Sequence, residues 1–140
     1  MSLSSAPTYT LPSTGNLYGG SGGTSLAAGA SHSTTFAFGV SSGNTNSFPG
    51  SALFGRLDVI NSPGTNVATP TGLQVQVFGS ADGGTNYATV PFINQTLASV
   101  ASTVATGEWD LIPPGFYKVT LTNLDGTYAT TVTITCGIAA

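Results

Sequence analysis

Apart from its many hydroxyls, this chain holds one histidine, one cysteine and five carboxylates with which to do acid–base or nucleophilic chemistry. A serine or cysteine nucleophile needs a base beside it. His32, the only histidine, stands where a Gly/Ser-rich leader meets the first strand pattern. Cys136 alternates with Ile134 and Ile138 on the apolar side of a strand pattern, the setting of a buried thiol rather than a reactive thiolate. Glu108 and Asp110 flank Trp109, so on an extended segment they share one side, whereas a glycosidase needs two carboxyl groups facing each other across the scissile bond. Asn123-Leu-Asp125-Gly126 and Asp82-Gly-Gly-Thr-Asn86 place oxygens in loops, but neither has the carboxylate series and closing Glu of a calcium loop. The Gly19–Gly23 run is not followed by Lys and a hydroxyl residue, so it makes no phosphate loop. No catalytic residue, metal site or cofactor is expected. Trp109 and Tyr87 could instead serve as stacking platforms for a sugar, although packing between two sheets is the preferred reading for Trp109.

Charged residues make up 5% of the chain, against about 25% in an average domain. Thr and Ser, 38 residues together, stand in their place. With Arg56 and Lys118 as the only basic side chains, the attraction that draws a protein to nucleic acid or an anionic membrane is missing, and neither partner is expected. One cysteine allows no intrachain disulfide. The opening MSLSSAPTYTLPSTG lacks the basic and continuous apolar regions of a secretory signal, and no apolar run reaches the ~20 residues that span a bilayer. The composition suits an outward-facing β protein, yet the start predicts synthesis in the cytoplasm. Exposure on a particle assembled inside a cell reconciles the two.

The elements that must position these residues read as strands. Residues 1–30 carry Pro7, Pro12 and the glycine run, no charge, and apolar side chains that a pure spacer would not need, among them Tyr9, Leu11, Leu17 and Tyr18. They are read as an extended arm whose apolar residues need a subunit, or the arm's own sandwich, to bury them. Residues 31–140 are read as one β-sandwich domain, because apolar residues recur with period two. Phe36, Phe38 and Val40 share a face; so do Leu53, Leu57 and Val59, with Arg56 and Asp58 paired opposite. Leu73, Val75 and Val77 alternate with Gln74 and Gln76, and Tyr117, Val119 and Leu121 with Lys118 and Thr120. Tyr128, Val132, Ile134 and Cys136 form a further series, and YATVPF and TLASVASTV complete a count of seven or eight strands. The fold class is all-β, an antiparallel sandwich, with a jelly roll as the alternative arrangement. Asp82-Gly83-Gly84 and Asp125-Gly126 supply hairpin corners, with glycine at positive φ expected in both.

The segment Trp109-Asp-Leu111-Ile-Pro113-Pro114-Gly115-Phe-Tyr117-Lys-Val119-Thr-Leu121 resembles the strand–turn–strand signature of fibronectin type III and related immunoglobulin-like domains. The resemblance implies that Pro114 and Gly115 make the turn, that Leu111 is in the core, and that the Tyr117 hydroxyl bonds back to the turn. Over its whole length the chain, with a Gly/Ser-rich arm and a Thr-rich sandwich, is similar in style to small tailed-bacteriophage virion proteins of the capsid cement or decoration type. That likeness implies a non-enzymatic structural protein of the virion, homo-oligomeric or part of a larger assembly, with the major capsid protein and copies of itself as partners. A carbohydrate- or receptor-binding module on a tail or fibre, and a tail tube or connector subunit, are the alternatives.

Overall fold

Alternation along the strands decides the layers. The fold was obtained as a computed structural model, which describes residues 9–10, 16–20, 22–39, 46–48, 55–67, 71–112 and 115–139. Of the positions named above, Pro7, Leu11, Pro12, Val40, Leu53, Pro113 and Pro114 lie outside the described residues. Eleven strands are present among those described: β1 (Tyr9–Thr10), β2 (Asn16–Tyr18), β3 (Thr24–Leu26), β4 (Ser31–Phe38), β5 (Asn46–Phe48), β6 (Gly55–Pro63), β7 (Gly72–Ser80), β8 (Ile93–Ala98), β9 (Ala105–Leu111), β10 (Gly115–Asn123) and β11 (Thr130–Ala139). In β6 every second residue from Gly55 to Pro63 is buried, as period two requires of a strand with one face in the core.

Two sheets form a sandwich. The first runs β9–β6–β11, all antiparallel, and the far edge of β11 is taken in turn by β3, β2 and β1. The second runs β5–β4–β10–β7–β8 and is antiparallel except for the short parallel pair β4–β5. Between them lie Phe36 and Phe38 of β4, Leu57 and Val59 of β6, Leu73, Val75 and Val77 of β7, Val119 and Leu121 of β10, and Val132, Ile134 and Cys136 of β11. Each such aliphatic or aromatic side chain contributes on the order of 1.5–3 kcal/mol by leaving water.

The described part of the segment read as an arm is laid along β11. β3 pairs with Thr130–Val132, β2 with Ile134 and Thr135 across a register shift, and β1 with Ile138 and Ala139. Leu26 is a core residue, and Leu17 and Tyr18 pack against the core. The Tyr18 ring stacks on His32 of β4 with centroids 3.6 Å apart, so an aromatic pair closes the gap between the two sheets on this side.

Three readings of the sequence change. YATVPF, residues 87–92, is a loop: Pro91 has no N–H to give a ladder, Val90 is 75% exposed, and in place of a ladder the backbone is tied through Ala88 N–H to Gly79 O and Phe92 N–H to Val77 O. TLASVASTV keeps strand geometry only to Ala98, beyond which Val100 and Thr103 make an isolated bridge. Tyr128 stands outside β11 and is 39% exposed, because its N–H and C=O serve the preceding loop.

The corner implied by the family resemblance is present. Tyr117 donates from its hydroxyl to Ile112 O at 2.9 Å, and its ring passes so close over Gly115 that a Cβ there would sit 2.5 Å from the hydroxyl oxygen. Strand order departs from the immunoglobulin arrangement at two positions. There the first strand lies beside the second and the last beside the one before it. Here the last strand, β11, lies beside β6 in the first sheet, and β4 takes the place beside β10.

Candidate functional site

Five elements build the most distinctive surface, the outer face of the second sheet. Because paired residues in a ladder share a face, register alone assembles two polar rows: Ser31, Thr122, Gln74 and Thr96, then Ser33, Thr120, Gln76 and Asn94. The hydroxyls of Ser31 and Thr122 share a hydrogen bond at 2.9 Å, those of Ser33 and Thr120 one at 2.8 Å, and Gln74 Nε2 donates diagonally to Asn94 Oδ1 at 3.3 Å. The next row joins Thr35, Lys118 and Phe78. The Lys118 ammonium lies 4.8 Å from the Phe78 ring centre and 5.6 Å from that of Tyr87, which folds down from the β7–β8 loop. With ~4.8 Å between strands and ~3.4 Å per residue, the four strands and three rows span roughly 14 by 14 Å. This face is rich in hydroxyls and amides, with Lys118 as the one charged side chain of the three rows.

The β7–β8 loop is built by turn chemistry. Ser80 Oγ donates to Asp82 Oδ1 at 2.8 Å and accepts the Gly84 N–H at 2.9 Å. Asp82 also accepts from the Asn86 N–H and from Asn86 Nδ2, each at 2.8 Å. Gly83 and Gly84 hold φ of 74° and 88°, as the sequence reading expected of this corner. The Asn86 backbone and side-chain bonds, followed by that from Ser80, pull the Asp82 carboxyl down to about 2. Beside it opens a groove of about 610 Å³ whose lining includes Ser80, Asp82, Asn86, Tyr87, Val90 and Phe92. Its acid is already committed to its own loop.

The second Asp-Gly loop works differently. Gly126 does not take up left-handed backbone, because the turn is made by side chains. Asp125, 3% exposed, accepts the N–H groups of Thr127 and Tyr128 on Oδ1 at 2.8 and 2.9 Å. Buried Asn123 accepts the Asp125 N–H at 3.0 Å. Asn123 Nδ2 reaches three carbonyls, Leu26 O and Ala27 O at 3.2 Å and Tyr128 O at 3.0 Å. These oxygens, read as weak calcium donors from sequence, are held by backbone amides, and the amide of Asn123 clips β3 to the sandwich.

The other chemistry-bearing residues are dispersed. Arg56 binds Asp58 at 2.9 Å, the same-strand pair expected from the sequence, and also Glu108 on the neighbouring strand, opposite Asp58. Glu108 and Asp110 do share a side, on the outer face of the first sheet, where Arg56 stands opposite Asp110 and binds Glu108. Trp109 faces inward, half-buried, packed against the core with its ring over Gly107. Tyr87 is half-buried as well, beneath the Lys118 ammonium. Cys136 is buried, and burial first, with Asp58 behind it, pushes its thiol well above the ordinary range. His32 faces Tyr18, and its partial burial lowers its basicity. Among the described residues no group of three or more His, Cys, Asp or Glu could hold a metal.

Sequence reasoning missed Asn61. It is fully buried, donates towards Leu97 O, Ala98 O and Ser99 Oγ, and accepts from Thr130 Oγ1 at 2.5 Å, so one side chain joins β6, β11 and the end of β8. The stretch Asn61-Ser62-Pro63 reads as turn chemistry, and only its place at the end of a period-two run hinted at burial. No protein-family model and no curated protein matches the chain, so function rests on geometry.

Proposed function

We propose that this protein is a non-enzymatic structural component of a bacteriophage virion, a cement or decoration protein that binds between major capsid subunits. The observation that carries this reading is the hydroxyl and amide face of the second sheet, on which Lys118 is the one ion of the rows described. Such a face docks by shape and hydrogen bonding. At roughly 200 Å² it falls short of the ~800 Å² per partner of a standard interface, so neighbouring loops and strands must add to the contact.

The test is attachment to purified heads. Thr120→Lys puts a charge in the middle of the face without touching the core, and it is expected to weaken attachment at least about tenfold, equivalent to 1.4 kcal/mol, with thermal stability kept. Undiminished attachment would remove this face from the interface.

The groove beside Tyr87 favours one other reading, a carbohydrate-binding module on a tail or fibre. Specific retention on a glycan array, lost in Tyr87→Ala with folding intact, would select it over cementing.

A further inference from the structure

Among the described residues β8 is a sheet edge without the usual defences. Edge strands are ordinarily protected from pairing by charge, proline, a bulge or brevity. β8 runs Ile-Asn-Gln-Thr-Leu-Ala with none of these, and residues 83–107 contain no Asp, Glu, Lys, Arg or His. At its ends stand exposed apolar side chains, Val90 and Phe92 before it, and Val100 and Val104 after it. The other edges differ. β11 is covered by β1, β2 and β3, β4 by β5, and β9 carries Glu108 and Asp110, which antiparallel self-pairing would bring against their own copies.

We infer that β8 pairs antiparallel with β8 of a second copy of this chain, across a two-fold axis at Gln95, to make one sheet through both subunits. The register follows from the faces. Ile93, Gln95 and Leu97 pair with inward residues of β7, whereas Asn94, Thr96 and Ala98 pair with outward ones. Residues opposite each other across a ladder share a face, so only registers that keep inward opposite inward are allowed. Centred on Gln95, the pairing sets Ile93 against Leu97 and Asn94 against Thr96, apolar to apolar and polar to polar. Centring on Thr96 would set Gln95 against Leu97, and centring on Asn94 would set it against Ile93. Ile93 and Leu97 already pack part-buried on the core, and each would complete the other's cover. Carried beyond the strand ends, the register brings exposed Val90 of one copy towards Val100 of the other. With no ionisable side chain along the seam, association is insensitive to salt. The inference does not depend on where the protein docks.

Sedimentation of the full chain over a wide concentration range tests it, with native mass spectrometry for composition. The wild type is expected to show a monomer–dimer equilibrium. Gln95→Lys places two ammonium groups together on the axis and lowers association at least about tenfold; Gln95→Glu does the same. An equimolar mixture of the two restores a dimer, and that dimer is heterotypic, which only a register with residue 95 opposite itself predicts. Gln95 is exposed, so both variants fold, as circular dichroism checks. A wild type that is monomeric up to its solubility limit overturns the inference, as does a dimer unaffected by either charge or a mixture that forms no heterodimer. A monomer whose Gln95→Lys variant loses attachment to heads gives this edge to a different protein, and also overturns it.

Discussion

Asn123→Ala probes whether the N-terminal segment belongs to the sandwich. In the folded chain the Asn123 amide group serves Leu26 O, Ala27 O and Tyr128 O, and its oxygen takes the Asp125 N–H. Asn123 is 1% exposed, so water cannot replace what the truncation removes. Two well-made donations and one acceptance at about 0.5–1.5 kcal/mol each, with the penalty for buried groups left unpaired, put the loss at about 2–4 kcal/mol. At roughly 3–4 °C per kcal/mol for a chain of this size, Tm should fall by roughly 10 °C. Differential scanning calorimetry gives the size, with exposed Asn94→Ala, expected to stay within about 0.5 kcal/mol, as control. Hydrogen exchange gives the place: the amides of β3 should lose protection before those of β7 and β10. An Asn123→Ala protein as stable as the control, with β3 still protected, would refute the clip.

Other outcomes follow from single contacts. Tyr117→Phe removes the hydroxyl bond to Ile112 O and should cost about 0.5–1.5 kcal/mol in chemical denaturation, with the fold intact. Cys136, buried and with its thiol raised, should react with a maleimide only as fast as the protein unfolds; rapid labelling of the native state would contradict its placement. Because His32 is less basic folded than its ordinary 6.5, the unfolded chain takes up its proton first. Stability should therefore be full above pH 6.5 and fall as pH drops below that value through the lowered folded one, and a His32→Gln variant should flatten the acid limb in pH-dependent denaturation.

Much of the sandwich was legible because its central strands alternate strictly. β7 and β10 show inward Val75, Val77, Val119 and Leu121 against outward Gln and Thr, and no helix pattern competes. The Tyr117 corner was legible because Leu, Pro-Gly and Tyr fall at fixed offsets within one short segment. Long-range pairing was not. Nothing local tells β11 to leave β10 and pair with β6, or β3 to lie on β11, since both depend on partners more than sixty residues away. Residues 87–92 misled because Val90 and Phe92, two apart, imitate one buried face, while both are exposed and Tyr87 turns to Lys118. The polar outer face was visible only as a surplus of Ser, Thr and Gln; the registers of β4, β10, β7 and β8 turn that surplus into rows.

The central claim is that this neutral sandwich works by docking on a viral shell. The most direct measurement is its copy number and position on purified phage particles, by quantitative mass spectrometry and site-specific labelling, before and after a wash in about 1 M NaCl, where Debye screening shortens to about 3 Å. The account predicts many copies on the head, retained through the wash. Absence from the particle, a location confined to the tail, or release by the salt would contradict it.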